Sequence, residues 1–171
     1  FVQLAELDGY FTELRDVKEE DELFCIEKAC QIACRSLYEV LDDIRPGTAE
    51  SEIAAELEYR MRKNGASGKS FETIVASGKR SAMPHGVASD KKIENGDAVT
   101  IDFGCIYKHY CSDMTRTFFV GRPDAELESI YRIVYGAQIA AMEGYRFGMT
   151  GAELDAISRV ISTEKGYGPN F

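Results

Sequence analysis

Residues 97–117 have the sequence DAVTIDFGCIYKHYCSDMTRT, and this segment is the strongest predictor of the fold. It predicts two antiparallel strands joined by a tight turn, with one aspartate on each strand. Asp102 and Asp113 lie at equal distances from a turn centred between Tyr107 and Lys108, so a regular hairpin would make them direct cross-strand partners. The Cβ atoms of such partners are about 4.5–5.5 Å apart. Two carboxylates at that spacing repel each other unless a proton or a cation lies between them, so the hairpin predicts a metal site. Two divalent ions roughly 3.5–4 Å apart would fit there, which is a hydrolytic arrangement.

The apolar pattern of the first predicted strand places its aspartate away from the core. Val99, Ile101 and Phe103 alternate with less apolar residues, so Asp102 lies on the opposite face of the strand. A buried carboxylate needs a partner. Arg116 is the closest cation in sequence, and we expect it to be the neighbour of the aspartates.

His85 is the second candidate for chemistry. It lies between Pro84 and Gly86, in a constrained loop rather than on an apolar stripe. Most single histidines are structural or solvated, but this loop leads into the aspartate hairpin. An imidazole with an ordinary pKa of about 6.5 can donate a hydrogen bond or shuttle a proton during hydrolysis. His109 lies beside the predicted hairpin tip, and we expect it to be exposed.

The composition is typical of a single globular domain, and we expect it to bind neither nucleic acid nor membrane. The chain has 171 residues, of which 44% are hydrophobic and 29% are charged, and its net charge is −9. A nucleic-acid partner would require a basic patch, and no apolar run approaches the roughly 20 residues that cross a membrane. Five cysteines without a CxxC pair favour small buried thiols in a reducing cytoplasm over disulfides or a zinc site.

Four helices and one further strand are predicted around the hairpin. Apolar residues at three- and four-residue steps predict a helix over 22–42. A second helix follows, with Thr48 as its expected N-cap. Residues 71–78 predict a strand that ends at a glycine. Pro123 suits the first turn of a third helix, and residues 150–153 match a capping box that begins a fourth.

The chain also resembles itself at a shift of about 101 residues, the distance from Arg45 to Arg146. The shift superimposes a helix, a turn, a second helix and a glycine in the same order. We interpret this as a duplication, with the first repeat at about 16–121 and the start of a second at 122–171. Residues 1–15 are expected to be a linker or the tail of a preceding domain.

Four segments carry a resemblance to a known family: FETIVASG at 71–78, SAMPHG at 81–86, DFG at 102–104 and SDMTRT at 112–117. Together they resemble the pita-bread metallopeptidases, and within that family the Xaa-Pro aminopeptidases and prolidases. The resemblance covers about residues 14–171 in unbroken order. It implies an α/β fold of the α+β kind, in which a pseudo-twofold repeat places helices on a curved antiparallel sheet. The second half of that fold is expected to be incomplete here.

The resemblance implies a metal-dependent exopeptidase that hydrolyses the peptide bond between an N-terminal residue and proline. Asp102 would chelate one divalent ion, Asp113 would bridge two ions, and His85 would stabilise or protonate the developing intermediate. Manganese is the metal expected, with cobalt and zinc as alternatives. The partners implied are a proline-containing peptide substrate and a second copy of the protein in a homodimer.

The resemblance further implies that the chain is truncated at both ends. The family uses two aspartates, one histidine and two glutamates as metal ligands, and the last three would follow Phe171. We therefore expect residues 1–171 alone to bind metal weakly or not at all, and to be almost inactive. Two alternatives stay open: a non-catalytic pita-bread module that binds peptides or proteins, and a metal-free hydrolase of the creatinase type. The retention of Asp102, Asp113 and His85 weighs against the first alternative, and the retention of the two aspartates weighs against the second.

Overall fold

The computed structural model describes residues 7–170, apart from the side chains of Asp8 and Tyr10. Its contacts divide the chain into two compact units, Phe1–Gly121 and Arg122–Phe171. The predicted linker at 1–15 lies partly outside the described residues, and its described part is helical from Asp8 onward. No helix in the described part of the chain has both the length and the apolar character needed to cross a membrane.

Five α-helices and three short 3₁₀ turns are present in the described residues. The helix predicted over 22–42 is observed at Glu20–Val40, so it begins and ends two residues before the predicted positions. The α-helices are α1 (Asp8–Asp16), α2 (Glu20–Val40), α3 (Glu50–Lys63), α4 (Ala125–Gly144) and α5 (Gly151–Glu164), and the 3₁₀ turns are Leu41–Asp43, Gly78–Ala82 and Gly168–Asn170.

The start of α3 differs from the prediction, because Ala49 and not Thr48 is the N-cap. Ala49 has no side-chain acceptor to offer the first turn. Backbone carbonyls of a distant loop take that role, since the amides of Glu50 and Ser51 donate to the carbonyls of Lys91 and Ser89. The prediction of Thr48 is therefore wrong by one residue, because a tertiary contact replaces the local cap.

In the described residues of the first unit, six strands form two antiparallel three-stranded sheets. One sheet has the order β2–β3–β6 and the other β1–β4–β5. The strands are β1 (Gly68–Lys69), β2 (Ile74–Ser77), β3 (Ala98–Phe103), β4 (Cys105–Tyr107), β5 (Tyr110–Cys111) and β6 (Met114–Phe119).

The register of the central hairpin corrects the predicted pairing of the two aspartates. Asp102 pairs with Thr115, and Asp113 lies between β5 and β6. The turn consists of Lys108 and His109, whose φ angles are 46° and 74°. A two-residue turn with positive φ at both positions matches the right-handed twist of the strands. Its centre lies one residue beyond the predicted one, so the two aspartates are not direct cross-strand partners.

The core of the first unit lies between the β2–β3–β6 sheet and helices α2 and α3. Val99, Ile101 and Phe103 of β3 are fully buried, as their alternation predicted. They pack with buried residues of the two helices, among them Ala29, Ile32, Ala33, Leu37, Val40, Ile53, Leu57 and Met61. Burial of this apolar surface is the main stabilising contribution to the unit.

The five cysteines only partly follow the prediction of buried thiols. Cys25 and Cys105 are buried, Cys30 and Cys34 are half-buried, and Cys111 is exposed, and all five are free. Cys111 is exposed on the short outer strand β5, close to the turn, where it pairs with Ile106 of β4. Burial raises the pKa of the Cys105 thiol above its ordinary value, although a hydrogen bond from Ser112 opposes the shift.

The second unit consists of α4, α5 and the last 3₁₀ turn. Thr150 caps α5, and its amide donates to Glu153 over 2.8 Å, as the predicted capping box requires. Asp124 caps α4 by accepting a hydrogen bond from the amide of Leu127 at 2.8 Å. Pro123 therefore precedes the N-cap instead of lying in the first turn, because the short side chain of Asp124 is the better cap.

Candidate metal centre

The three predicted site residues lie around one pocket of the first unit. Asp102, Asp113 and His85 line a cavity of about 490 Å³. The rest of its lining is mostly apolar and comes from Phe71, Glu72, Ile74 and Val87. The fold thus brings together side chains that are up to 42 residues apart in sequence, from Phe71 to Asp113.

Asp102 lies on the outer face of β3, between Ile74 of β2 and Thr115 of β6. The Thr115 hydroxyl donates to Asp102 Oδ1 over 2.8 Å, which fixes one carboxylate oxygen. Arg116, the predicted cation, pairs with Ile101 instead, and its guanidinium donates to the Thr115 carbonyl over 2.7 Å. The prediction of Arg116 as a partner is wrong because neighbouring side chains of a strand point to opposite faces.

Asp113 owes its position to hydrogen bonds made by the residue before it. Ser112 is buried, and its amide donates to the Cys105 carbonyl over 2.9 Å. The Ser70 hydroxyl donates to the Ser112 carbonyl over 2.8 Å. Gly104 allows this close approach, because a Cβ there would collide with the Ser112 carbonyl oxygen and with Ser70 Oγ. Asp113 itself is exposed, and its carboxylate accepts no hydrogen bond from residues 7–170.

His85 lies in a tight turn at the edge of the pocket. The Gly86 amide donates to the Met83 carbonyl over 3.1 Å, and the Val87 amide to the His85 carbonyl over 2.9 Å. Gly86 is buried against β2, where a Cβ would lie 2.9 Å from the Cβ of Ala76. The glycine therefore lets the turn approach the sheet, and the imidazole of His85 stays exposed beside the cavity.

The donor set fits one side of a site for hard divalent cations. Carboxylate oxygens suit Mg²⁺ and Mn²⁺, which take about six ligands. Asp113 offers a carboxylate without a partner among the described residues, and Asp102 has one oxygen engaged by Thr115. Within residues 7–170, no three side chains of histidine, cysteine, aspartate or glutamate lie close enough together to hold a metal ion. The two aspartates are thus a partial donor set.

Sequence reasoning missed the residues that shape and support this pocket. Phe71, Ile74 and Val87 give it an apolar lining, and the sequence pattern assigned none of these three residues to the site. Glu72 also lines the pocket, but it forms an ion pair with Lys69 at 2.8 Å. The Thr115 hydroxyl could have been found from the hairpin register, had the turn been placed correctly.

The comparisons with known proteins identify the family of the chain. The profile of metallopeptidase family M24 matches residues 25–171. The Xaa-Pro dipeptidase of Pyrococcus furiosus is 48% identical over 169 residues, which are 99% of this chain and 49% of that protein. The chain spans about half the length of the curated relatives it matches.

Solved structures give the same relationship. The Xaa-Pro dipeptidase from Bacillus anthracis has a TM-score of 0.92 and 52% sequence identity to this chain. The match covers 94% of this chain and 45% of the dipeptidase chain. The X-Pro aminopeptidase from Thermotoga maritima has a TM-score of 0.91 and 48% sequence identity to this chain. The match covers 95% of this chain and 46% of the aminopeptidase chain. These structures confirm the predicted pita-bread fold of helices and antiparallel strands. The chain belongs to metallopeptidase family M24.

Proposed function

We propose that the protein is a metal-dependent exopeptidase that hydrolyses the bond between an N-terminal residue and proline. The observation that supports this best is the shared pocket of Asp102, Asp113 and His85. It occurs in a chain whose relatives include proteins named Xaa-Pro dipeptidase and X-Pro aminopeptidase. The Xaa-Pro bond is common to both names, so it is the substrate feature that we propose.

Asp102 and Asp113 would hold divalent ions, with manganese as the first candidate. When bound, such ions polarise a peptide carbonyl and make a water molecule more acidic. Thr115 would keep one oxygen of Asp102 in a fixed orientation, since the hydrogen bonds of metal-binding carboxylates orient them. Asp113 keeps its whole carboxylate available, because no described side chain or amide donates to it.

His85 would contact the substrate directly. Its exposed imidazole at the pocket edge can donate a hydrogen bond to the oxygen on which charge develops, or a proton to the leaving nitrogen. The apolar surface of Phe71, Ile74 and Val87 offers a place for an uncharged ring such as that of proline. We place the proline side of the substrate against this surface.

Residues 1–171 alone would be nearly inactive in this proposal, because two aspartates are too few ligands to hold manganese firmly. Purified 1–171 with excess Mn²⁺ is expected to give no measurable cleavage of Xaa-Pro dipeptides. Robust turnover that a chelator abolishes would contradict this expectation.

The free cysteines fit a reducing cytoplasm, which is the location that we propose.

The decisive experiment uses a longer protein of the relatives' length that contains these residues. Hydrolysis of an Xaa-Pro dipeptide is measured with Mn²⁺ for the wild type and for Asp102→Asn, Asp113→Asn and His85→Ala. We expect each aspartate variant to lose metal and activity, and His85→Ala to keep metal but lose kcat. Asp42→Asn, an exposed aspartate outside the pocket, is the matched control and should be fully active. Binding of proline peptides without turnover would favour the binding-module alternative.

A further inference from the structure

Glu50, in the first turn of α3, is a charged residue whose side chain is 0% exposed. Burying an ionised carboxylate is costly unless hydrogen bonds and opposite charges compensate for the lost water. A surface position would have served equally well for a helix start, because acidic residues in a first turn act through the helix dipole without burial. The burial of Glu50 therefore calls for a reason in the surrounding contacts.

Five hydrogen bonds converge on the Glu50 carboxylate. Oε1 accepts from the amide of Ser77 at 2.7 Å and from its hydroxyl at 2.8 Å. Oε2 accepts from Arg80 Nε at 3.0 Å, and from the hydroxyl and amide of Ser89 at 2.7 and 3.2 Å. Burial raises the pKa of Glu50, but the hydrogen bonds from Ser89 and Ser77 and the charge of Arg80 together hold it below its ordinary value. The carboxylate is thus ionised at neutral pH.

The donors to Glu50 lie on both sides of His85 in the chain. Ser77 and Arg80 precede it, and Ser89 follows it. Arg80 also donates through Nη2 to the carbonyl of Val87 at 2.7 Å. One carboxylate therefore anchors both ends of the loop at 78–89. Arg80 also holds Val87, which lies two residues after the histidine.

The same network reaches the strand that carries Asp102. The Lys91 ammonium donates to the Ser77 hydroxyl and to Asp97 Oδ2, each over 2.8 Å. Asp97 directly precedes β3. The histidine loop and the aspartate strand are thus tied to each other through buried and half-buried charges, and not only through backbone pairing.

The His85 imidazole has no hydrogen-bond partner of its own among residues 7–170. Its position beside the pocket is therefore set by the loop backbone. We propose that Glu50 is a positioning residue for His85, which holds the loop at 78–89 so that the imidazole faces the cavity shared with Asp102 and Asp113. This inference rests on the proposed function only in giving His85 a role toward substrate.

The first test is independent of activity and uses residues 1–171. The chain has two histidines, His85 and His109, so NMR of the imidazoles gives one reporter and one internal control. In Glu50→Gln we expect the His85 resonance to shift or broaden, and the amides of Gly86 and Val87 to exchange faster with solvent. The His109 resonance should stay unchanged. Unchanged resonances and exchange rates in the loop would overturn the proposal.

The second test is kinetic and uses the longer protein. Glu50→Gln should lower kcat by about 10- to 100-fold, as misplacement of a catalytic group by about 1 Å does. KM should change by no more than about twofold. If Glu50 acts through His85, the double variant with His85→Ala should be no slower than His85→Ala alone. Effects that multiply in the double variant would overturn the proposal, because they would show that Glu50 acts elsewhere.

Glu52→Gln is the matched control for the charge change. Glu52 lies in the same turn of α3, is exposed, and accepts from the Ala49 amide over 2.8 Å. A glutamine keeps that acceptor, so kcat should not change. Ser89→Ala removes one donor while leaving the Glu50 charge in place, and a partial loss of kcat is expected even if Glu50→Gln is poorly folded. A wild type that does not cleave Xaa-Pro peptides would refute the proposed function, while the NMR result would still decide the role of Glu50.

Discussion

Gly104, between β3 and β4, is the position where a single methyl group should do most harm to the candidate metal centre. A Cβ at this residue would collide with the carbonyl oxygen of Ser112 and with Ser70 Oγ, and would lie 2.8 Å from the Ser112 carbonyl carbon. Two of these three atoms belong to backbone, so a change of rotamer cannot relieve the overlap. In Gly104→Ala the segment that carries Asp113 has to move away from β3.

The expected cost follows from two contributions. Overpacking of a tightly packed site costs about 1–3 kcal/mol. Loss of the 2.8 Å hydrogen bond between the Ser70 hydroxyl and the Ser112 carbonyl adds about 1 kcal/mol. We therefore expect Gly104→Ala to lower the free energy of unfolding by about 2–4 kcal/mol. Because Asp113 moves with Ser112, metal affinity in the longer protein should fall as well.

Urea unfolding of residues 1–171, followed by circular dichroism and by hydrogen exchange of the β3 amides, measures this change in the free energy of unfolding. Gly136→Ala is the matched control, because a Cβ at Gly136 in α4 meets no atom within 4 Å. In a helix this change should raise stability by about 0.5–1 kcal/mol. A Gly104→Ala protein as stable as the wild type would refute the packing account of the hairpin.

Three further predictions concern polar contacts. Thr115→Val removes the hydroxyl that orients the aspartate opposite it and should weaken Mn²⁺ binding of the longer protein by about tenfold in calorimetry; Thr117→Val, whose hydroxyl contacts Thr100 instead, should leave affinity unchanged. Because the folded-state pKa of Glu50 lies below its ordinary 4.5, its stabilisation is present above pH 4.5 and is lost as pH falls through the folded value. The stability difference between wild type and Glu50→Gln should therefore shrink in acid unfolding, and a difference independent of pH would contradict this. The hydrogen bond to Glu22 raises the pKa of Tyr110 to about 12, so Glu22→Gln should lower that pKa in a spectrophotometric tyrosine titration, and an unchanged titration would contradict the contact.

The parts of the site that follow from local pattern could be predicted from the sequence. Alternation of apolar residues placed Asp102 on the outer face of β3, and the Pro-His-Gly turn placed His85 in a constrained loop. Both depend on neighbours within a few residues. The family resemblance joined these segments to Asp113, and the structure places all three around one cavity.

The parts that failed depend on geometry that the sequence does not encode locally. Lys108 and His109 adopt positive φ, which non-glycine residues seldom do, and neither position holds the glycine that usually marks a two-residue turn of this kind. That shift of one residue moved the cross-strand partner of Asp102 from Asp113 to Thr115.

The anchoring of the histidine loop was also beyond sequence reasoning. Glu50 lies 27 residues from Ser77 and 39 from Ser89 in the chain. An acidic residue in the first turn of a helix has an ordinary explanation in the helix dipole. Only the folded chain shows that this carboxylate is buried and shared by the two ends of the loop.

The proposed function places the metal on Asp102 and Asp113, with His85 beside it. Anomalous diffraction from crystals of the longer protein grown with Mn²⁺ tests it most directly. We expect two manganese peaks in the pocket, with carboxylate oxygens of Asp102 and Asp113 at coordinating distance and the His85 imidazole facing them. Manganese bound elsewhere, or a pocket without manganese in a protein that cleaves Xaa-Pro peptides, would contradict it.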